Sequence, residues 1–226
     1  HLIVLAPNSV QEMHDFVADA FELSFKYRNP AMILADGCIG QMMEKVVLAP
    51  QRPRKTKEEI AAECKSWALI GKTDDRERNV ITSLELKSEV MEVNNQRLQA
   101  KYNAIKENEV RYEAIQCDDA DYVIVAFGSS SRICSATVEM ARAEGIKLGL
   151  LRPITLYPFP TKAIQELAER GVKGFLSAEL NAGQMVEDVR LAVNGKAVVE
   201  HYGRMGGMLF SPDEVLNAVK EKLINR

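Results

Sequence analysis

Glu179, Asn181, Gly183 and Gln184 bring an acid, two amides and a glycine together between an apolar run, 172–178, and an amphipathic segment, 185–193. Such a group suits an anion or free main-chain groups, because a helix start presents unpaired N–H donors at the positive end of its dipole. The same side chains also suit a plain helix cap. A second candidate is Gly128-Ser129-Ser130-Ser131-Arg132, a Gly-Ser turn running into a helix beside a cation, which is the chemistry of a phosphate cradle. It has neither the GxxxxGK[ST] nor the GxGxxG spacing, and its residues serve equally well as caps or as a protein interface.

Neither of these sites is joined by a nucleophile and its base, so no catalytic residue is assigned. Of the three histidines, His14 falls in a helical pattern and His201 at a strand end, and neither HExxH nor GxSxG occurs. The four cysteines, Cys38, Cys64, Cys117 and Cys134, form no CxxC pair. A zinc ribbon, an iron–sulfur cluster built from this chain alone, or any other metal site is therefore not expected. The thiols read as reduced, in a cytoplasmic protein.

Three stretches must position these residues. In 1–49, the apolar run LIVLAP reads as a buried strand. Ser9 and Glu12 have capping-box spacing, and Val10, Met13, Val17, Ala20, Phe21 and Ser24 then mark an apolar helix face. AMILAD is a second strand, completing a β-α-β unit. Two buried strands and one helix cannot close a core, so most of a domain is expected before His1. Stretch 50–117 opens with the Pro- and charge-rich linker APQRPRKTKEE, continues with a short helical or irregular segment around Trp67, and passes through the polar loop GKTDDRERN. From 83 to 115 there is neither Gly nor Pro, and Leu84, Met91, Leu98, Ile105 and Tyr112 recur every seven residues, predicting one long helix with a narrow apolar stripe. That stripe suits an arm packed along another surface better than a free-standing coiled coil, which needs a fuller seam.

Stretch 118–226 reads as a complete α/β domain: four strands alternate with four helices around a largely parallel sheet, a three-layer sandwich. Thr161 is expected to cap one helix, Gly145 and Gly171 to end two, and Ser211-Pro-Asp-Glu214 to open the last. The loops at 128–132, 152–153, 179–184 and 203–207 all follow strands, at the edge where open α/β sheets bind ligands.

The 226 residues carry a net charge of −3 and 46% hydrophobic residues, enough for a real core and without the basic excess that nucleic acid or anionic lipid would attract. No run approaches the roughly 20 apolar residues a bilayer requires, and no cleavable signal is visible. Nucleic-acid and membrane partners are therefore not expected.

Four stretches together resemble the α subunit of the 2-oxoacid:ferredoxin oxidoreductases, of the 2-oxoisovalerate (branched-chain) or 2-oxoglutarate type: VLAPNSVQEM (4–13), LADGCIGQMME (34–44), ELNAGQMVEDVRLAV (179–193) and YGRMGGMLFSPDEV (202–215). The resemblance implies part of a thiamine-diphosphate pyrimidine-type domain in 1–49, a helical linker, and a transketolase C-terminal-like domain in 118–226. It implies an enzyme that decarboxylates a 2-oxoacid on thiamine diphosphate with magnesium, passes electrons through iron–sulfur clusters in partner chains to ferredoxin, and releases an acyl-CoA. A β subunit would hold the diphosphate and its metal. The activating glutamate and the substrate-carboxylate residues of the family would lie before residue 1, so this chain alone should bind no cofactor and be inactive. Asp36 and Gly37 would be its nearest residues to the cofactor. Gly128, Ser129, Ser130, Arg132, Glu179, Asn181, Gly183 and Gln184 would serve an interface or a phosphate, with Glu179 and Asn181 bonding main-chain groups of a partner. Two other readings stand beside this one: a CoA- or nucleotide-binding module using the 128–132 loop, and a non-catalytic assembly module.

Overall fold

A computed structural model describes residues 1–50, 53–72 and 74–226. The linker reading of 49–59 falls outside the described residues at 51 and 52, and the polar-loop reading of 71–79 at 73. The chain divides into two compact units, 1–47 with 102–226, and 48–101.

The larger unit contains two sheets. The first is built on β1 (Ile3–Leu5), which leads through helix α1 (Val10–Tyr27) to the parallel strand β2 (Ala31–Ile33). Ile3 and Leu5 are fully buried, as the continuous apolar run required. The second follows α4 (Ser88–Asn108), whose last turns from Tyr102 belong to this unit. Its strands are β3 (Tyr112–Ile115), β4 (Tyr122–Val125), β5 (Leu148–Pro153), β7 (Gly174–Glu179) and β8 (Val198–Gly203), in the order β3-β5-β4-β7-β8. All pairs are parallel except β3 with β5. Helices α5 (Gly128–Ala143) and α8 (Pro212–Val219) cover one face through Cys134, Val138, Val215 and Val219. Helices α6 (Thr161–Arg170) and α7 (Met185–Val193) cover the other through Ile164, Leu167, Met185 and Val189. The expected three-layer α/β sandwich is present. Strands such as Val123-Ile124-Val125 are apolar throughout because both faces are covered.

Several expectations need correction. The stretch 118–226 is not self-contained. Strand β6 (Thr155–Tyr157) leaves it to pair antiparallel with β1, giving the first sheet the order β2-β1-β6. At the other boundary, β3 precedes residue 118. The helix expected over 83–115 spans only Ser88–Asn108. Tyr112 leaves the heptad series because Tyr112–Ile115 pairs with Leu150–Pro153, an edge-strand gain that helical propensity cannot match. On α1 the predicted face is only partly the covered one. Phe16 and Leu23 are buried, with Ala20 and Tyr27 against the same cluster, while Val17 and Phe21 are exposed. The helix is apolar on two sides, and the position of β1 and of Ile105 decides which side is covered. Thr161 does not cap α6, since it is the first helical residue and Pro160 precedes it without a side-chain bond. Ser9 does cap α1, accepting the Glu12 N–H at 3.1 Å, but Glu12 reaches the Asn8 N–H at 2.9 Å in place of its own cap residue. The Ser211–Glu214 box forms as read, with Pro212 at the first helical position.

The segment from Glu109 to Arg111 is tied to α1. Lys26 and the Tyr27 hydroxyl both donate to Glu109 at 2.6 Å, and Arg111 pairs with Asp19 at 2.7 Å.

The smaller unit holds α3 (Lys57–Cys64), opened by a capping box between Thr56 and Glu59, and the first turns of α4. Cys64 is its one buried apolar residue among those described, and Leu69, Ile70, Val80, Ile81 and Leu86 are exposed.

Within β5, a Cβ on Gly149 would stand 2.9 Å from Gln116 O and 3.1 Å from Cys117 Cα. Gly149→Ala should therefore destabilise the larger unit by about 1–3 kcal/mol, as overpacking does. Calorimetry should show a melting temperature lowered by about 2–4 °C for each kcal/mol in a chain of this size. An unchanged melting temperature would contradict this close approach.

Candidate functional site

The second sheet has the order in which β4 is flanked on one side by the next parallel strand and on the other by the strand after that. Ligands of such sheets bind at the carboxyl ends of the strands where the connections diverge, here beyond β4 and β7. Gly128 follows β4 with a φ of +58°, and a Cβ there would stand 2.9 Å from Asp36 Oδ2. Only a glycine allows that approach. The Ser129 N–H donates to Asp36 Oδ2 at 2.8 Å and its hydroxyl to Oδ1 at 2.7 Å. The same Oδ1 accepts the Ile39 N–H at 3.0 Å, so Asp36 also caps the short helix α2 (Gly37–Gln41). The anion at the start of α5 is thus a carboxylate of the chain itself.

Burial alone would raise the Asp36 pKa. The N–H groups of Ile39 and Ser129, the Ser129 hydroxyl and the Cys38 N–H together outweigh it and hold the carboxyl below its ordinary value. Of the other residues of the Gly-Ser turn, Ser131 turns its hydroxyl onto Gly128 O at 2.7 Å, and Ser130 is buried in the first turn of α5. Arg132 is spent on Glu44 at 2.8 Å and Asn8 O at 3.1 Å. The chain's own groups occupy the phosphate-cradle chemistry read from FGSSSR.

Glu179, at the end of β7, is 2% exposed. Its carboxylate accepts the N–H groups of Gln184 at 3.0 Å, Met185 at 2.9 Å and Val186 at 2.9 Å, together with the Ser177 hydroxyl at 2.8 Å. It caps α7 from outside the helix, where Gln184 makes no side-chain cap bond and is exposed. Asn181 accepts the Gly183 N–H at 2.7 Å, closing a tight turn. In place of the expected bonds across an interface, Glu179 and the Asn181 side chain make bonds within the domain. Gly203 is required by contact, since a Cβ there would fall 2.3 Å from Asn181 O.

The sequence reading missed Arg152 as a centre. It is 2% exposed, donates to Glu113 at 2.9 Å and to Ala6 O at 3.4 Å, and pairs with Glu12. Its signal was a lone cation in the apolar run LGLLRP, which must find a partner when buried. Beside it a cavity of about 360 Å³ is lined by Asn8, Ser131, Arg132, Ser135, Glu113 and Arg152, among others. No three metal-ligating side chains come together among the described residues. No helix among them is long and apolar enough to cross a membrane.

With this geometry the chain matches two family models: pyruvate flavodoxin/ferredoxin oxidoreductase, thiamine diphosphate-binding, over residues 1–113, and pyruvate:ferredoxin oxidoreductase core domain II over 120–215. The chain belongs to the pyruvate flavodoxin/ferredoxin oxidoreductase family. Among its relatives is the ketoisovalerate oxidoreductase subunit VorB of Methanothermobacter marburgensis, 48% identical over 97% of this chain and 60% of that one. Another is the 2-oxoglutarate synthase subunit KorA of the same organism, 32% identical over 96% of this chain and 63% of that one. The chain thus spans about 60% of the length of these relatives. A solved structure of 2-oxoglutarate:ferredoxin oxidoreductase from Magnetococcus marinus, with 2-oxoglutarate, coenzyme A and succinyl-CoA bound, shares the fold. It has a TM-score of 0.74 at 20% identity over 97% of this chain and 42% of that one. The α designation read from the sequence is supported only as far as "subunit", because the relatives carry different letters.

Asp36 and Gly37, the residues expected nearest thiamine diphosphate, present open backbone and no free ligand. Gly37 and Gly40 have nothing within 4 Å of where a Cβ would stand, so the backbone of the 37–41 turn is open to a close approach. The Asp36 carboxylate beside it faces Ser129 and Ile39 and is not free to ligate.

Because burial opposes and three N–H groups with the Ser177 hydroxyl favour the charged form, Glu179 keeps a pKa below its ordinary value. Its stabilising effect is complete above the ordinary glutamate value of about 4.3 and is lost as pH falls through the lowered folded value. Glu179→Gln should destabilise the chain by about 2 kcal/mol or more at pH 7, because an amide N–H₂ then faces a main-chain donor. It should also flatten the acid limb of the stability–pH curve measured by urea denaturation. Equal acid limbs in both proteins would contradict the capping role.

Proposed function

We propose that this chain is part of an enzyme that oxidatively decarboxylates a branched-chain 2-oxoacid to its acyl-CoA with ferredoxin as electron acceptor. The observation that carries the reading is the 48% identity to a ketoisovalerate oxidoreductase subunit over 97% of this chain, against 32% to a 2-oxoglutarate synthase subunit. When bound, thiamine diphosphate supplies the electron sink that accepts the decarboxylated carbon. In this reading the residues of this chain do no chemistry. Gly37 and Gly40 offer a bare backbone next to the cofactor, and Asp36 holds that turn in place. The diphosphate and its magnesium belong to a partner β subunit, and the iron–sulfur clusters to partner chains. Ferredoxin, coenzyme A and the 2-oxoacid meet the assembled cytoplasmic enzyme.

The test is ferredoxin reduction by the complex purified with its partner subunits, with and without thiamine diphosphate and coenzyme A. We expect kcat/KM for 2-oxoisovalerate to exceed that for 2-oxoglutarate and pyruvate by about tenfold or more, the scale on which an apolar pocket separates side chains. The isolated chain should show no thiamine-dependent decarboxylation. A preference for 2-oxoglutarate would overturn the substrate, and turnover by the isolated chain would overturn the division of labour.

A further inference from the structure

The short helix α2 cannot hold itself in place. It has five residues, of which only Ile39 is buried, and its neighbours Gly37, Cys38, Gly40 and Gln41 are exposed. Met43, just beyond it, is 98% exposed. The loop is fixed at its two ends from other elements. At one end Asp36 receives the N–H and hydroxyl of Ser129. At the other, Glu44 accepts the Val10 N–H at 3.0 Å and pairs with Arg132 at 2.8 Å. The Gln11 carboxamide bonds both the N–H and the carbonyl of Val47, at 2.8 Å and 3.0 Å. Asp36 Oδ1 caps α2 and also accepts the Ser129 hydroxyl, while Oδ2 accepts the Ser129 N–H. The backbone of α5 is shaped for that contact, since Gly128 takes a positive φ at the point where a side chain would strike Asp36.

A loop held at both ends and bare in the middle is a pre-organised surface, and pre-organisation is converted into affinity for whatever the surface meets. We propose that Ser129 is a positioning residue for thiamine diphosphate. By clasping Asp36, the domain that contributes no cofactor ligand sets the conformation of the 36–47 loop against which the cofactor is bound. The inference rests on the reading above that this loop borders the cofactor. It gives the Gly-Ser turn a role without requiring a phosphate in it.

When the clasp opens, the loop samples other conformations, and apparent affinity falls by the fraction of time the competent one is lost. Losing a hydrogen bond to a charged group shifts such an equilibrium by roughly tenfold, and cofactor affinity falls by up to that factor. The experiment uses the intact complex carrying Ser129→Ala or Ser129→Thr, the second of which keeps the hydroxyl. Hydrogen exchange in peptides covering 36–47 reports the clasp. Calorimetric titration of the cofactor-free complex with thiamine diphosphate and magnesium reports the consequence, alongside the KM for the 2-oxoacid.

We expect Ser129→Ala to speed exchange in 36–47 and to weaken cofactor binding measurably, by up to about tenfold, with the 2-oxoacid KM moving less than twofold. Ser129→Thr should restore both exchange and binding. Faster exchange with unchanged cofactor affinity would mean that the clasp is structural only, and the proposal would fall. Unchanged exchange would also overturn it, because Ser129 would then not control the loop. A wild-type complex that binds no thiamine diphosphate would overturn the functional reading itself, and this inference with it.

Discussion

Arg152 is a charge at the end of a strand buried on both faces, and the join between the two sheets depends on how that charge is neutralised. A guanidinium at 2% exposure costs several kcal/mol unless its donors are satisfied. The partners of its two terminal nitrogens come from three elements: Glu12 at the start of α1, the Ala6 carbonyl at the end of β1, and Glu113 in β3, while its buried Nε has no partner among the described residues. Because the fork of the guanidinium is rigid, meeting all three fixes β1 and α1 against the edge of the second sheet. The chain then runs directly from Pro153 into β6, which adds to the other edge of β1. One buried cation and one shared strand thus make a single compact unit of two segments separated in the sequence.

The same principle recurs at the helix starts. The unpaired N–H groups of α5, α7 and α1 meet carboxylates from elsewhere in the chain: Asp36, Glu179 and Glu44. Each lies outside the helix it serves. A carboxylate there is stabilised by the helix dipole as a phosphate would be, at the cost of holding a second segment in position. At α5 and α7 that cost purchases tertiary order at the ligand-binding edge of the sheet. It also explains how this edge resembles a binding site in sequence while its donors are already satisfied by the chain.

In the large unit the turn at Gly37 and Gly40 is open to a close approach, as are Gly206 and Gly207 at the end of another strand's loop. The smaller unit exposes Leu69, Ile70, Val80, Ile81 and Leu86, and Cys64 is its one buried apolar residue among those described. Neither unit gathers three or more His, Cys, Asp or Glu side chains that could hold a metal ion among its described residues.

Local chemistry was legible in the sequence. The apolar runs of β1, β4 and β7 had to be buried strands, Ser211 and Glu214 had to open a helix, and glycines had to stand at 145 and 171 where helices end in positive φ. The alternation of strands and helices was enough for a parallel three-layer sandwich. These features depend on neighbours within a few residues, where period and backbone sterics decide. Long-range pairing was not legible. That Tyr112–Ile115 is a strand depends on the free edge of β5. That Phe16 and Leu23 face inward, leaving Phe21 at 65% exposure, depends on where Ile3, Leu5 and Ile105 lie. That Asp36 fills the cradle at Ser129 depends on two segments 93 residues apart being brought within 2.8 Å. An acid, a glycine and a serine have the same intrinsic chemistry whether they wait for a ligand or hold one another, and only the tertiary structure, by setting which group arrives first, decides between the two.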